Sequence, residues 1–379
     1  YLSLCVLFCA CQPSGTSSRK AGSSMAIATE AKADSCMHLY YAKGFAVEYF
    51  SEYKRLTIHN PWGGKSAVYY LYRQQKPENL PEDAQAIQIP LKTIATTSCT
   101  HIGFLDRLGL LASVKGSCNL SMVYHPEFRK KAAASLVVDL GDNYSINAEK
   151  TLALQVDALI WSGYGQQDAK INFLRSASLP IIENNEWMEK DLLGRAEWLR
   201  CMAVLFDKEA LADSLFQATV QAYNQLKAMA AEDSLYQPKS LMAGENFRGT
   251  WYVPGGRSYM AQLFRDAGAS YLFENDTTSG SISLNLERVL RDMGHCDIWV
   301  GADAASLADL AAQDARYTWF DAYKNKSVYS YNRCSTPQGG NDFWERGVAH
   351  PDLLLSDFVK LLHPHLMTDR EWNFLVALQ

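Results

Sequence analysis

Excess positive charge, CxxC pairs and long apolar runs are all missing from this 379-residue sequence. With 36 Lys and Arg against 41 Asp and Glu, the formal net charge is −5. No basic stripe offsets it, which argues against general nucleic-acid binding. Beyond the first residues the cysteines are Cys36, Cys99, Cys118, Cys201, Cys296 and Cys334, none in a CxxC pair, so a zinc site has no support. Whether any of them pair as disulfides does not follow from their spacing. A nucleophile elbow, a phosphate-cradling GxxxxGK[ST], a GxGxxG and an HExxH are also lacking. Ser98-Cys99-Thr100-His101 sets a thiol beside an imidazole, but catalytic Cys and His meet through the fold, so adjacency is no evidence. The expectation is a binding protein rather than an enzyme, with no resident cofactor.

The most apolar stretch, Tyr1 to Ala10, has the length of a signal-peptide core and is too short to span a bilayer. Phe8-Cys9-Ala10-Cys11 resembles a bacterial lipobox, in which Cys11 would be acylated; Phe8 stands where Leu is usual, and an ordinary cleaved signal is the alternative. Residues 12–33 are rich in Ser, Gly, Ala and Lys and read as a flexible tether. A leader and tether over 1–33 suggest work beside a membrane, with contact through the lipid anchor only.

The rest is long enough for two lobes. Residues 34–185 alternate short β-rich runs with amphipathic ones. Arg55–His59 and Ala67–Tyr72 read as strands about an Asn-Pro-Trp-Gly-Gly turn. Further strands fall at Ile89–Thr97, Ala158–Trp161 and Pro180–Ile182, with helices at His101–Leu111 and Asn147–Leu154. Residues 186–236 differ: Glu186 to Glu232 holds no Pro and a single Gly, Gly194. Asp207 is the expected N-cap of a helix to Ala231, with Leu211, Leu215, Ala218, Ala222, Leu226 and Met229 as its apolar face. From 237 to 379 the strand–helix alternation returns. The prediction is an α/β fold: two lobes with mainly parallel sheets, joined by a long crossover helix.

Two local motifs carry a family resemblance over roughly Lys54 to Leu366. Asn147-Ala148-Glu149-Lys150-Thr151-Leu152 leads to Val156-Asp157-Ala158-Leu159-Ile160, and Ser283-Leu284-Asn285-Leu286-Glu287-Arg288-Val289-Leu290 leads to Asp297-Ile298-Trp299-Val300. Asn341 to Gly347 with His350-Pro351-Asp352, and Asn184 to Arg200, add to the likeness. The chain resembles the helical-backbone class of periplasmic binding proteins that serve ferric-siderophore, haem and vitamin B12 ABC importers. That resemblance implies a periplasmic protein passing a metal chelate to a permease dimer, with Glu149 and Glu287, one per lobe, meeting arginines on the permease. A ferric siderophore or haem is the expected cargo, with a corrinoid as the alternative.

Ligands of such lobes sit beyond the carboxyl ends of strands. Trp62, Trp161, Tyr164, Trp251, Tyr252 and Trp344 fall just after predicted strands and offer flat faces for a macrocycle or catechol-like chelate, Trp161 and Trp251 above all. Arg248, Arg257, Arg333 and Arg346 lie in the same loops and would suit an anionic chelate. Pro254-Gly255-Gly256-Arg257, at a helix start, could hold an anion through backbone N–H groups. His101 is either a haem ligand or an ordinary satisfied residue. His363-Pro364-His365 reads as a solvated helix end.

Overall fold

Strands too short and too apolar to present a wet face build the centre of each lobe. The computed structural model describes residues 32–60, 64–164 and 168–379. Cys11, most of the tether and Trp62 lie outside the described residues. In the N-lobe, Ile181–Glu183, Ala158–Trp161, Ile94–Thr96, Val114–Ser117 and Val138–Asp139 lie in that order in a parallel five-stranded sheet. Every residue of Ile94–Thr96 and Ala158–Trp161 is buried, as expected of parallel strands covered by helices on both faces. In the C-lobe, Ser270–Tyr271, Ser240–Ala243, Ile298–Val300 and Val328–Ser330 run parallel, and Val376–Ala377 closes the edge antiparallel. The expected α/β architecture is present.

Two further sheets interrupt the alternation. Ser35–Cys36, Phe45–Tyr49, Tyr53–Ile58, Ala67–Tyr72 and Gln85–Gln88 form a sheet whose first four strands are antiparallel. Its strands alternate in burial, and Phe45, Val47, Leu56, Ile58 and Tyr69 pack into one core with Trp198. The turn expected between Arg55–His59 and Ala67–Tyr72 therefore joins hairpin strands, not parallel ones. In the C-lobe, Asn246–Phe247, Thr250–Pro254 and Ser281–Leu284 make an antiparallel flap that follows the first strand.

The crossover is two helices, Leu192–Val204 and Glu209–Ala231. The first is buried on all sides, which explains a sequence almost free of helix breakers. Asp207 is not the cap. Its backbone is left-handed (φ 54°), and its carboxylate takes Lys54 Nζ at 2.6 Å and Arg73 Nε at 2.9 Å. The buried face of the second helix is also displaced by about one position: Ala212, Phe216, Thr219, Tyr223, Leu226 and Ala230 are inside, and Leu211 is exposed. Thr219 and Tyr223 can be inside because Thr219 Oγ1 donates to Leu215 O at 3.0 Å and Tyr223 Oη donates to Asp266 Oδ2 at 2.8 Å. That face packs on both the first crossover helix and the C-terminal helix Pro351–Leu362.

The lobes meet at a dense junction. Helix Cys99–Arg107 lies against the short helix Asp342–Glu345, so close that a Cβ on Gly103 would stand 2.1 Å from Glu345 O. Arg107 donates to Ala349 O, to Thr219 Oγ1 and, at 3.0 Å, to Leu215 O, tying the N-lobe to crossover and C-terminal segment at once. The Glu345 carboxylate accepts Tyr124 N at 2.7 Å and His125 N at 2.9 Å. His363 is not at a solvated end; it is fully buried, with Nδ1 2.7 Å from Asp233 Oδ2 and Nε2 3.0 Å from Ala267 O.

Candidate ligand-binding cleft

The strand order of each sheet reverses at one place. In the N-lobe it reverses between Ile94–Thr96 and Ala158–Trp161, and in the C-lobe between Ser240–Ala243 and Ile298–Val300. Loops leaving neighbouring strands there diverge and leave a crevice. The same kind of bond closes the base of each crevice: Ser162 N donates to Thr97 Oγ1 at 2.9 Å, and Asp303 N donates to Glu245 Oε2 at 2.9 Å.

On the C-lobe side the crevice opens into a cleft of about 760 Å³. Two glycines shape its floor. Gly244 (φ 85°) and Gly301 (φ 80°) turn left-handed as the strands end, and a Cβ would stand 1.9 Å from Tyr252 O at the first and 2.8 Å from the Tyr331 ring at the second. The walls are aromatic: Phe247, Tyr252 and Trp344, all substantially exposed, with Tyr331 stacked on Phe343 at 4.2 Å between ring centroids. Met122, from the loop after N-lobe strand Val114–Ser117, reaches the same cleft. Among the described lining residues the charged ones are Glu245 and Asp303. Burial, and then the nearby Asp303 carboxylate, push Glu245 up to about 7.

An aromatic ladder marks the carboxyl ends of the N-lobe strands. Tyr164 packs on Tyr144 at 4.7 Å and on Trp187 at 5.7 Å, while Asn143 Nδ2 donates to Tyr164 Oη at 2.6 Å.

The predicted site residues divide accordingly. Tyr252 and Trp344 line the cleft and Tyr164 belongs to the ladder. Trp251 is a correction: strand alternation turns it inward, it is 0% exposed, and its indole N–H donates to Ala243 O at 3.0 Å within a cluster of Trp299, Tyr317 and Phe320. Trp161 is likewise in the N-lobe core, beneath Gly163 and with the Arg175 guanidinium 5.5 Å over its ring.

None of the arginines expected in the site lines the cleft. Arg248 lies over Phe247, and Arg257 is exposed and outside the lining. Arg333 faces Glu371 at 3.8 Å, and Arg346 pairs with Asp342 at 2.8 Å and covers the Phe374 ring. The Gly255-Gly256 turn already uses two of its N–H groups, Gly255 N on Gly280 O and Arg257 N on Thr278 O. His101 is sealed in the core, where burial lowers it to about 3, and burial pushes the Cys99 thiol up to about 12. The six described cysteines are all free thiols.

Glu245, Asp303 and Phe247 escaped the sequence reading. Their signal was present: each of two C-lobe strands runs into a glycine and then an acid, Ala243-Gly244-Glu245 and Val300-Gly301-Ala302-Asp303. Glu149 and Glu287 are exposed in the first turns of helices Ala148–Ala153 and Leu286–Met293, each capped by an asparagine whose Oδ1 accepts the N–H three residues on at 2.9 Å.

Residues 94–333 match the family model described as periplasmic binding protein. An uncharacterized lipoprotein of Methanocaldococcus jannaschii is 25% identical over 363 residues, 89% of this chain and 84% of the relative. Among solved structures, the periplasmic heme-binding protein RhuT of Roseiflexus sp. RS-1 superposes with a TM-score of 0.57 at 14% identity, covering 72% of this chain and 98% of that one. The periplasmic vitamin B12 binding protein BtuF of Vibrio cholerae gives 0.54 at 15% identity over 74% and 99%. The two parallel-sheet lobes, the helical crossover and the matched stretch agree, and the chain belongs to the periplasmic binding protein family.

Proposed function

We propose that this chain captures a metal chelate, of the ferric-siderophore or haem kind or a corrinoid, and delivers it to an ABC importer. The observation that carries the reading is the aromatic-walled cleft at the C-lobe crevice, where Tyr252, Phe247 and Trp344 leave large faces uncovered. Uncovered aromatics on a soluble surface lose hydration free energy that a flat ligand would recover. A cleft of about 760 Å³ is of the size that holds such a ligand. Relatives named for heme and vitamin B12 binding share the fold, which supports the cargo class.

Delivery would use Glu149 and Glu287. Two exposed carboxylates on matching helix starts, one per lobe, suit two basic sockets on a permease dimer and would set orientation and on-rate. An acyl group on Cys11 would hold the protein at the membrane, in the periplasm, with the tether giving reach. The relative named a lipoprotein supports the anchor.

The test is tryptophan quenching of the protein by haem, ferric catecholate, ferric hydroxamate and cyanocobalamin. Saturable quenching by one of them at sub-micromolar concentration, abolished in Trp344→Ala, is expected. No quenching and no calorimetric heat across the panel would overturn the reading.

A further inference from the structure

Resting on the capture reading above, we propose that the cleft selects a cationic chelate, one carrying an ammonium-type group, over an anionic one. The lining described in the structure has two charged side chains, Glu245 and Asp303, and both are acids. They stand at the point where the C-lobe strand order reverses, on loops whose path is fixed by the left-handed glycines Gly244 and Gly301. An anionic ligand lodged there would meet two acids, with no guanidinium in the described lining.

The aromatic walls are an independent observation that favours the same ligand. Phe247, Tyr252 and Trp344 remain 57%, 43% and 40% exposed at the cleft. Ring faces are electron-rich, so a cation held among them gains from the quadrupole as well as from the acids. Arg248 lies 5.0 Å over the Phe247 ring, whereas no cation lies over the Tyr252 or Trp344 ring among the described contacts. The acids themselves are partly spoken for only by weak partners: Glu245 accepts the Asp303 backbone N–H, and Asp303 accepts Asn332 Nδ2 at 2.7 Å. Neither has a lysine or arginine partner among the described ion pairs. Two carboxylates without a counter-ion, facing exposed rings, complement a positive group and disfavour oxyanions.

Calorimetry on the full chain tests this with three iron chelates: a ferric trihydroxamate with a free terminal ammonium, the same chelate with that amine acetylated, and a trianionic ferric tricatecholate. The ammonium form should bind at least about tenfold tighter than the acetylated one, with the tricatecholate weakest. Glu245→Gln combined with Asp303→Asn should bring the two hydroxamates within about twofold of each other. Raising ionic strength should shrink the same preference in the unaltered protein, a check that needs no variant to fold. Equal or tighter binding of the tricatecholate, or a preference that survives both salt and the double substitution, would overturn the inference and leave chelate capture standing. If no chelate of any charge binds, the capture reading itself falls, and this inference falls with it.

Discussion

Asp303 lends its backbone N–H to the Glu245 carboxylate across 2.9 Å, bridging two loops that leave neighbouring strands in opposite directions. Ser162 and Thr97 make the counterpart bond in the other lobe, but with a hydroxyl as acceptor. The two crevices are thus closed by the same kind of bond, with a carboxylate as acceptor in the C-lobe and a hydroxyl in the N-lobe.

Trp251, in the flap, and Trp344, in the short helix Asp342–Glu345, should respond in opposite ways. Trp251→Ala removes a fully buried ring and its hydrogen bond to Ala243 O, and should cost about 3–5 kcal/mol of stability. Trp344→Ala, at a 40% exposed cleft wall, should leave the melting temperature within a few degrees and weaken cargo binding instead. Thermal melts and ligand titrations on both variants check the contrast.

The contribution of Glu345 to stability should fall as pH rises from about 4.5 to about 7. Burial, with added repulsion from Asp342 and Asp106, pushes Glu345 from 4.5 up to about 7 even though Tyr124 N and His125 N donate to it. The folded chain then holds a proton that the unfolded chain has released, so the native state binds more protons across that window. Glu345→Gln should flatten this part of a pH-dependent denaturation profile, by on the order of 3 kcal/mol between its ends. An unchanged profile in the variant would reject the assignment.

Charge reversal at the helix starts should separate docking from capture. Glu149→Arg and Glu287→Arg each alter an exposed side chain far from the cleft lining, so chelate affinity should stay within about twofold. Stimulation of the importer's ATPase in proteoliposomes should drop for each variant and nearly vanish for the pair. Equal stimulation by all forms would exclude these two glutamates as contacts.

The C-terminal edge strand should depend on one carboxylate. Asp357, 1% exposed, accepts Asn373 N, Asn373 Nδ2, Phe374 N and Leu375 N at 2.7–2.9 Å. Asp357→Ala leaves those donors buried and unpaired and should cost about 3–5 kcal/mol. Amide exchange should accelerate first at Val376 and Ala377, the strand these bonds position.

Most of the fold was legible because the parallel strands and capped helices announce themselves locally: Ala158–Trp161 and Ser240–Ala243 fall where their apolar runs predict. The crossover face was misplaced because Thr219 and Tyr223 look polar in sequence and become interior only through partners on neighbouring turns and helices. The site was less legible. Aromatic content pointed to Tyr252 and Trp344, but whether Trp251 or Tyr252 faces the cleft is decided by the pairing of Thr250–Pro254 with Ser281–Leu284, a register not visible in composition. Arginines near strand ends suggested anion binding, and tertiary partners such as Asp342 and the Phe374 ring removed Arg346 from that role.

The contact of Gly103 with the Glu345 carbonyl, together with the three-way grip of Arg107, bears on timing. Swinging the lobes apart at this junction would have to break carbonyl and hydroxyl contacts in a single step, so a large hinge motion would be costly. On the delivery reading above, release of the cargo would then fall to the permease rather than to a motion of this chain alone.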